Sequence, residues 1–117
     1  RKVLIKGNHD IFKLKDYLPY FDDIRAYVVK KTKDGGKLIF SHIPLHPSSL
    51  GRFGKNVHGH LHSNVLDDPN YLNVSVEQIG FTPLSFDDML LRLDENERHF
   101  NQTGKVINYS DRYAAEW

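Results

Sequence analysis

Two short apolar runs in this sequence stop at a polar, histidine-bearing turn, and a third turn of the same kind follows. Val3-Leu4-Ile5 leads into Gly7-Asn8-His9-Asp10, Leu38-Ile39-Phe40 leads into Ser41-His42, and residues 58–62 read His-Gly-His-Leu-His. A continuous apolar run of this length is the pattern of a strand covered on both faces, as in a parallel or mixed sheet. Open α/β sheets carry their ligand sites beyond the carboxyl ends of such strands. The expected fold class is therefore α/β with a mixed sheet, in which three strand ends converge.

The intervening segments fit that class. After Gly7, residues Ile11, Leu14, Leu18 and Phe21 fall near one helical face, with Asp10 as N-cap and Pro19 closing the helix. Residues 24–31 and 37–41 are rich in β-branched and aromatic side chains around Asp34-Gly35-Gly36, which predicts a hairpin. Lys30, Lys31, Lys33 and Lys37 surround its tip and read as a solvated, aggregation-resistant edge rather than a phosphate patch. Residues 44–54 have the Pro, Ser and Gly content of a loop, and Asp67 to Asn70 mark a turn. Beyond it, Leu72, Val74 and Val76 alternate with Tyr71, Asn73 and Ser75, the pattern of a half-buried strand over 71–77. Ser85 and Asp88 form a capping pattern for a helix with Phe86, Met89, Leu90 and Leu93 on one face. A short strand at Val106–Tyr109 and packing of Tyr113 and Trp117 complete the expectation.

At 117 residues the chain predicts one domain over 1–117. Lys and Arg number 16 against 15 Asp and Glu, so no net positive field marks nucleic acid or an anionic membrane as the main partner. There is no cysteine, which excludes disulfides and thiolate metal sites and leaves imidazole, amide and carboxylate donors. No apolar stretch approaches the roughly 20 residues that cross a bilayer, and no signal segment is visible. The expected location is the cytoplasm. The chain begins at Arg1, immediately before a strand, from which a missing upstream segment is expected.

His60 and His62 are two apart, so an extended backbone would project both imidazoles to one side, with Gly59 allowing a tight turn and His58 available as a ligand or outer contact. The alternative for this cluster is an exposed, proton-sensitive turn. In Gly7-Asn8-His9-Asp10 the plain alternative is a turn and helix cap. The functional alternative gives the Asn8 oxygen to a metal, proton donation to His9, and orientation of that imidazole to Asp10.

In series, Gly7-Asn8-His9-Asp10, Ser41-His42 and Gly59-His60-Leu61-His62 resemble the later motifs of the calcineurin-like metallophosphoesterases. The runs "VLIKGNHD" and "VHGHLHSN…YLNVSVE…TPLSFDDML" are similar to small bacterial and phage members, and the resemblance covers most of residues 2–93. It implies a mixed-sheet αββα sandwich and a hydrolase of phosphate diesters or monoesters, small-molecule or nucleotide. It implies two divalent ions (Mn, Fe, Zn or Ni), one held by Asn8, His42 and His60 and the other receiving His62. His9, partnered by Asp10, would protonate the leaving oxygen.

The family's first two motifs, Asp-x-His and Gly-Asp, have no counterpart in this sequence. The expectation is a C-terminal portion of the domain, incomplete at its N-terminus and with little turnover by itself. Two other classes compete: a non-catalytic metal-binding or interaction domain derived from the same fold, and a nucleic-acid binder using Arg52, Lys55 and the lysine hairpin. The second lacks the interleaved aromatic and basic residues that such binding uses.

Overall fold

The computed structural model describes residues 1–114 and shows an α/β chain with mixed sheet pairing. The elements run β1 (Val3–Ile5), α1 (Leu14–Tyr17), β2 (Asp23–Arg25), β3 (Tyr27–Lys31), β4 (Lys37–Ser41), α2 (Leu50–Phe53), β5 (Lys55–His58), β6 (Tyr71–Asn73) and α3 (Phe86–Thr103). Strands β1 and β2 pair parallel as a separate two-stranded sheet. The main sheet has the order β3-β4-β5-β6, with β3 antiparallel to β4 and the remaining pairs parallel.

The hairpin forms in the register Tyr27↔Ser41 to Lys31↔Lys37, as its composition predicts. Its first strand is shorter than expected, because residues 24–31 serve two sheets. Asp23–Arg25 pairs with β1, the chain breaks at Ala26, and Tyr27–Lys31 pairs with β4. The parallel strands of the main sheet, β4, β5 and β6, are buried on both faces, with Leu38, Val57 and Leu72 lining the core beneath Leu93 of α3 and Tyr109. Each such aliphatic side chain contributes about 1.5–3 kcal/mol on burial. Phe86, Met89 and Leu90 pack on the same cluster, so the predicted face of α3 is the one the fold uses. Ser85 caps that helix by accepting the Asp88 N–H at 3.1 Å.

Several expectations fail. Residues 44–54, expected as a loop, contain a 3-10 turn at Pro47–Ser49 and α2, and β1, whose apolar run predicts cover on both faces, leaves Val3 40% exposed. The helix after Asp10 is one turn, Leu14–Tyr17, with Lys13 rather than Asp10 as N-cap. Asp10 is committed elsewhere: its carboxylate accepts the Gly7 N–H at 2.7 Å, which closes a turn and keeps residues 10–13 out of the helix. The strand expected over 71–77 stops at Asn73, whose Oδ1 accepts both the Ser75 N–H (2.9 Å) and hydroxyl (2.7 Å) and bends the chain into a 3-10 turn, Val76–Gln78. No strand forms at 106–109. Asn108 accepts the Ser110 N–H at 3.2 Å and starts another 3-10 turn, Tyr109–Arg112.

Tyr109 is buried between the guanidinium groups of Arg92 and Arg112, 4.3 and 4.6 Å from its ring centre, and burial pushes its hydroxyl pKa up to about 12. Tyr113 packs as expected, its hydroxyl accepting from Arg92 at 3.0 Å. Trp117 lies outside the described residues.

Candidate metal centre

Each donor segment is fixed locally before it meets the others. Asp10 N–H donates to the Gly7 carbonyl at 3.2 Å while the Asp10 carboxylate accepts from Gly7, so the tip Asn8-His9 is held by reciprocal bonds. Beyond β4, the side chain of fully buried Asn56 donates to the Ile39 carbonyl and Ser41 Oγ, both at 3.0 Å, and accepts the Leu45 N–H at 2.9 Å. These bonds set the path of His42. Gly59 N–H donates to the His42 carbonyl at 2.9 Å, tying the third segment to the second.

Three donor atoms from these segments meet. His42 Nε2 is 2.6 Å from Asn8 Oδ1, His60 Nδ1 is 3.3 Å from the same oxygen, and the two ring nitrogens are 3.2 Å apart. Ligands bound to one ion at about 2.1 Å stand roughly 3–3.5 Å from one another. Two of the three separations therefore already equal those of a shared ion, and the third is a hydrogen bond. Residue 7 must be small for this to happen, since a Cβ there would lie 2.9 Å from His42 Nδ1.

Burial, and then the neighbouring His60, lower the His42 pKa below the ordinary imidazole value, against a smaller opposing effect of Asp10. Burial does the same to His58, whose Nδ1 donates to the Gly59 carbonyl at 2.8 Å and whose Nε2 is buried without a partner among the described residues. Neutral imidazole is the ligating form. His58, however, points into the sheet and away from solvent, so it supports the turn from beneath.

The structure separates His60 and His62, which the sequence placed side by side on an extended strand. Strand β5 ends at His58, and both residues take left-handed backbone, φ +70° and +54°. His60 turns to Asn8 and His42, whereas His62 Nδ1 meets Glu77 Oε2 at 2.9 Å. His9 is exposed, and its ring has no hydrogen-bond partner among the described residues. The expected Asp10–His9 pairing is replaced by the Asp10–Gly7 bond.

The sequence pattern does not reveal Glu77, because an alternating strand over 71–77 would leave it projecting from the end of the sheet. The same alternation hides Asn73, and Gln78 lies just beyond it with no periodic signal of its own. Their amides donate to the His62 carbonyl at 2.9 and 3.2 Å. Among the described residues no group of three His, Cys, Asp or Glu side chains is placed to hold a metal. The triad above includes an amide oxygen and two imidazoles.

No family model matches the chain, and no solved structure matches it. It is similar to an uncharacterized protein of Methanocaldococcus jannaschii, with 32% identity over 112 residues that cover 90% of this chain and 52% of the relative. The chain thus spans about half the length of the curated relative it matches. No helix among the described residues is long and apolar enough to cross a membrane.

Proposed function

We propose that this chain is the ligand-bearing, C-terminal portion of a metal-dependent phosphoesterase of the calcineurin-like type. The observation that carries the proposal is the meeting of Asn8 Oδ1, His42 Nε2 and His60 Nδ1, from three separate turns, within 3.3 Å. An amide oxygen only accepts, so without an ion the proton between Asn8 and His42 sits on Nε2. To ligate, His42 would carry its hydrogen on Nδ1 instead, so that His42 Nε2, Asn8 Oδ1 and His60 Nδ1 would offer three lone pairs to one ion. The donor set is hard to borderline and suits Mn, Fe, Zn or Ni. Asn8, His42 and His60 would hold one ion and His62 would contribute to a second. When bound, the ions supply Lewis-acid polarisation of a phosphoryl oxygen and a water acidified toward neutrality.

His9, exposed at the tip of its turn, is free to meet a substrate and donate a proton to the leaving oxygen. With Asp10 bonded to Gly7, proton donation falls to His9 alone in this arrangement. The αββα sandwich, a cytoplasmic location and a small-molecule or nucleotide phosphate ester belong to the same proposal. A carboxylate shared between two ions is not among the donors gathered here, and in the proposal it comes from residues outside this chain. Strand β1 pairs on one side alone, with β2, and its other edge is where such residues would add structure.

One observation favours a second reading, a non-catalytic metal-binding or interaction domain: among the described residues no carboxylate joins the triad. Hydrolysis of a chromogenic phosphodiester and phosphomonoester by the full-length protein with Mn²⁺ decides between them. His60→Ala is expected to lose both metal and turnover. His9→Ala should keep metal and slow the substrate with the poorer leaving group by 10²–10⁴-fold. Equal turnover in all three proteins would refute the assignment, and metal binding without any turnover would favour the second reading.

A further inference from the structure

We propose that Glu77 is a positioning residue that fixes the His62 ring so that Nε2 is its free donor nitrogen. The proposal rests on the metal-centre assignment only for the identity of what Nε2 then binds. A carboxylate accepts and does not donate, so the 2.9 Å contact between Glu77 Oε2 and His62 Nδ1 requires the hydrogen on Nδ1. The neutral ring then has its lone pair on Nε2. That ring is 67% exposed, whereas the Glu77 side chain is 21% exposed, so the carboxylate forms the inner wall and the imidazole the outer face.

The same 3-10 turn grips His62 twice. Glu77 holds the ring, and the next residue, Gln78, donates from Nε2 to the His62 carbonyl at 3.2 Å. Asn73 donates to that carbonyl as well, at 2.9 Å. Gln78 is in turn fixed from α3, where Arg92 Nη1 donates to its carbonyl at 2.6 Å, and from Ser110, whose N–H donates to its Oε1 at 3.2 Å. These bonds hold a non-glycine residue at φ +54°, in the left-handed region that L side chains seldom adopt. Strain held in place by so many partners directs one side chain.

The second carboxylate oxygen separates this pair from an ordinary surface contact. Glu77 Oε1 is buried and has no hydrogen-bond partner among the described residues. A solvent-exposed ion pair leaves both oxygens in water. Here one oxygen is desolvated and unpaired, so a cation on the far side of the ring would offset its charge through the imidazole. Carboxylate–imidazole–metal arrangements also raise the basicity of the ligating nitrogen.

Long-range ¹⁵N–¹H spectra of the histidine rings, recorded about 1.5 units above the ordinary imidazole value of ~6.5, report the tautomer directly. His62 is expected as the Nδ1–H form in the wild type, retained in Glu77→Gln, whose amide oxygen still accepts, and displaced toward Nε2–H in Glu77→Ala. In a Co²⁺ titration of the full-length protein followed by visible absorption, Glu77→Ala should weaken binding at the His62 position by about 10–100-fold, with Glu77→Gln closer to wild type. An Nε2–H ring in the wild type overturns the proposal without any variant, and so does a tautomer unchanged in a folded Glu77→Ala. If the wild type binds no cobalt, the metal assignment falls, while the ring spectra still decide the role of Glu77.

Discussion

The two sheets of this protein are held to very different depths. In the main sheet Val57 and Leu72 are 1% and 2% exposed and sandwiched by α3, whereas in the β1-α1-β2 unit Ile11 and Phe12 are 80% and 64% exposed. The candidate centre straddles this divide. His42 and His60 leave the ends of buried parallel strands, and Asn8 comes from the lightly covered unit. Rigid and yielding parts therefore meet at three donor atoms, and whatever binds there couples their stabilities.

The largest expected effect comes from attacking the deep side. Leu72→Ala should cost about 2–5 kcal/mol in urea unfolding, while Leu14→Ala in α1, more than half exposed, should stay within about 0.5 kcal/mol. Equal losses would mean that the two regions unfold as one equally packed unit. Next, Mn²⁺ at 100 times its Kd should add about 2.7 kcal/mol, and hydrogen exchange should show the gain most strongly at Gly7–Asp10. Protection confined to β4 and β5 would show that Asn8 is no ligand. Asn73→Ala removes one of the two donors to the His62 carbonyl, the donor to the Asn64 carbonyl and the acceptor for Ser75, with an expected loss of about 1–3 kcal/mol and faster exchange over residues 60–64.

A gentler contrast concerns pH. Burial holds the folded pKa of His58 below its unfolded value, so below pH ~6.5 the unfolded chain takes up a proton that the folded one resists. Stability is full above that pH, falls as the pH drops, and levels off once the folded pKa has been passed. The urea midpoint of His58→Gln should lose the part of this slope that belongs to His58. A slope identical to that of the wild type would assign the acid sensitivity to other groups.

What could be read in the sequence follows the same division. Of the buried strands, β4 announced itself as an apolar run, and the turn residues Asp34-Gly35 and the cap Ser85 announced their neighbours, because burial and local capping leave a compositional trace; β5 left no such run, and the equally apolar β1 is only partly covered, with Val3 40% exposed. The three histidine-bearing turns were visible, and two of them supply imidazoles that do converge. Hidden were the places where one side chain changes its allegiance. Asn73 alternates perfectly as a strand residue, yet its amide ends the strand and grips His62. Asp10 has the right type and position for a helix cap, yet closes a turn on Gly7 instead. Periodicity reports which face is buried. It carries no information on which of several reachable acceptors a polar side chain will take, so Glu77 could be found only after the chain had been bent toward His62.

The left-handed backbone of His60 and His62 has a consequence for how this sequence would drift. Glycine or asparagine would occupy both sites more comfortably, so selection for thermal robustness alone would erode the imidazoles. A stabilising His60→Gly or His62→Gly exchange would then mark these histidines as residues kept against the interest of folding.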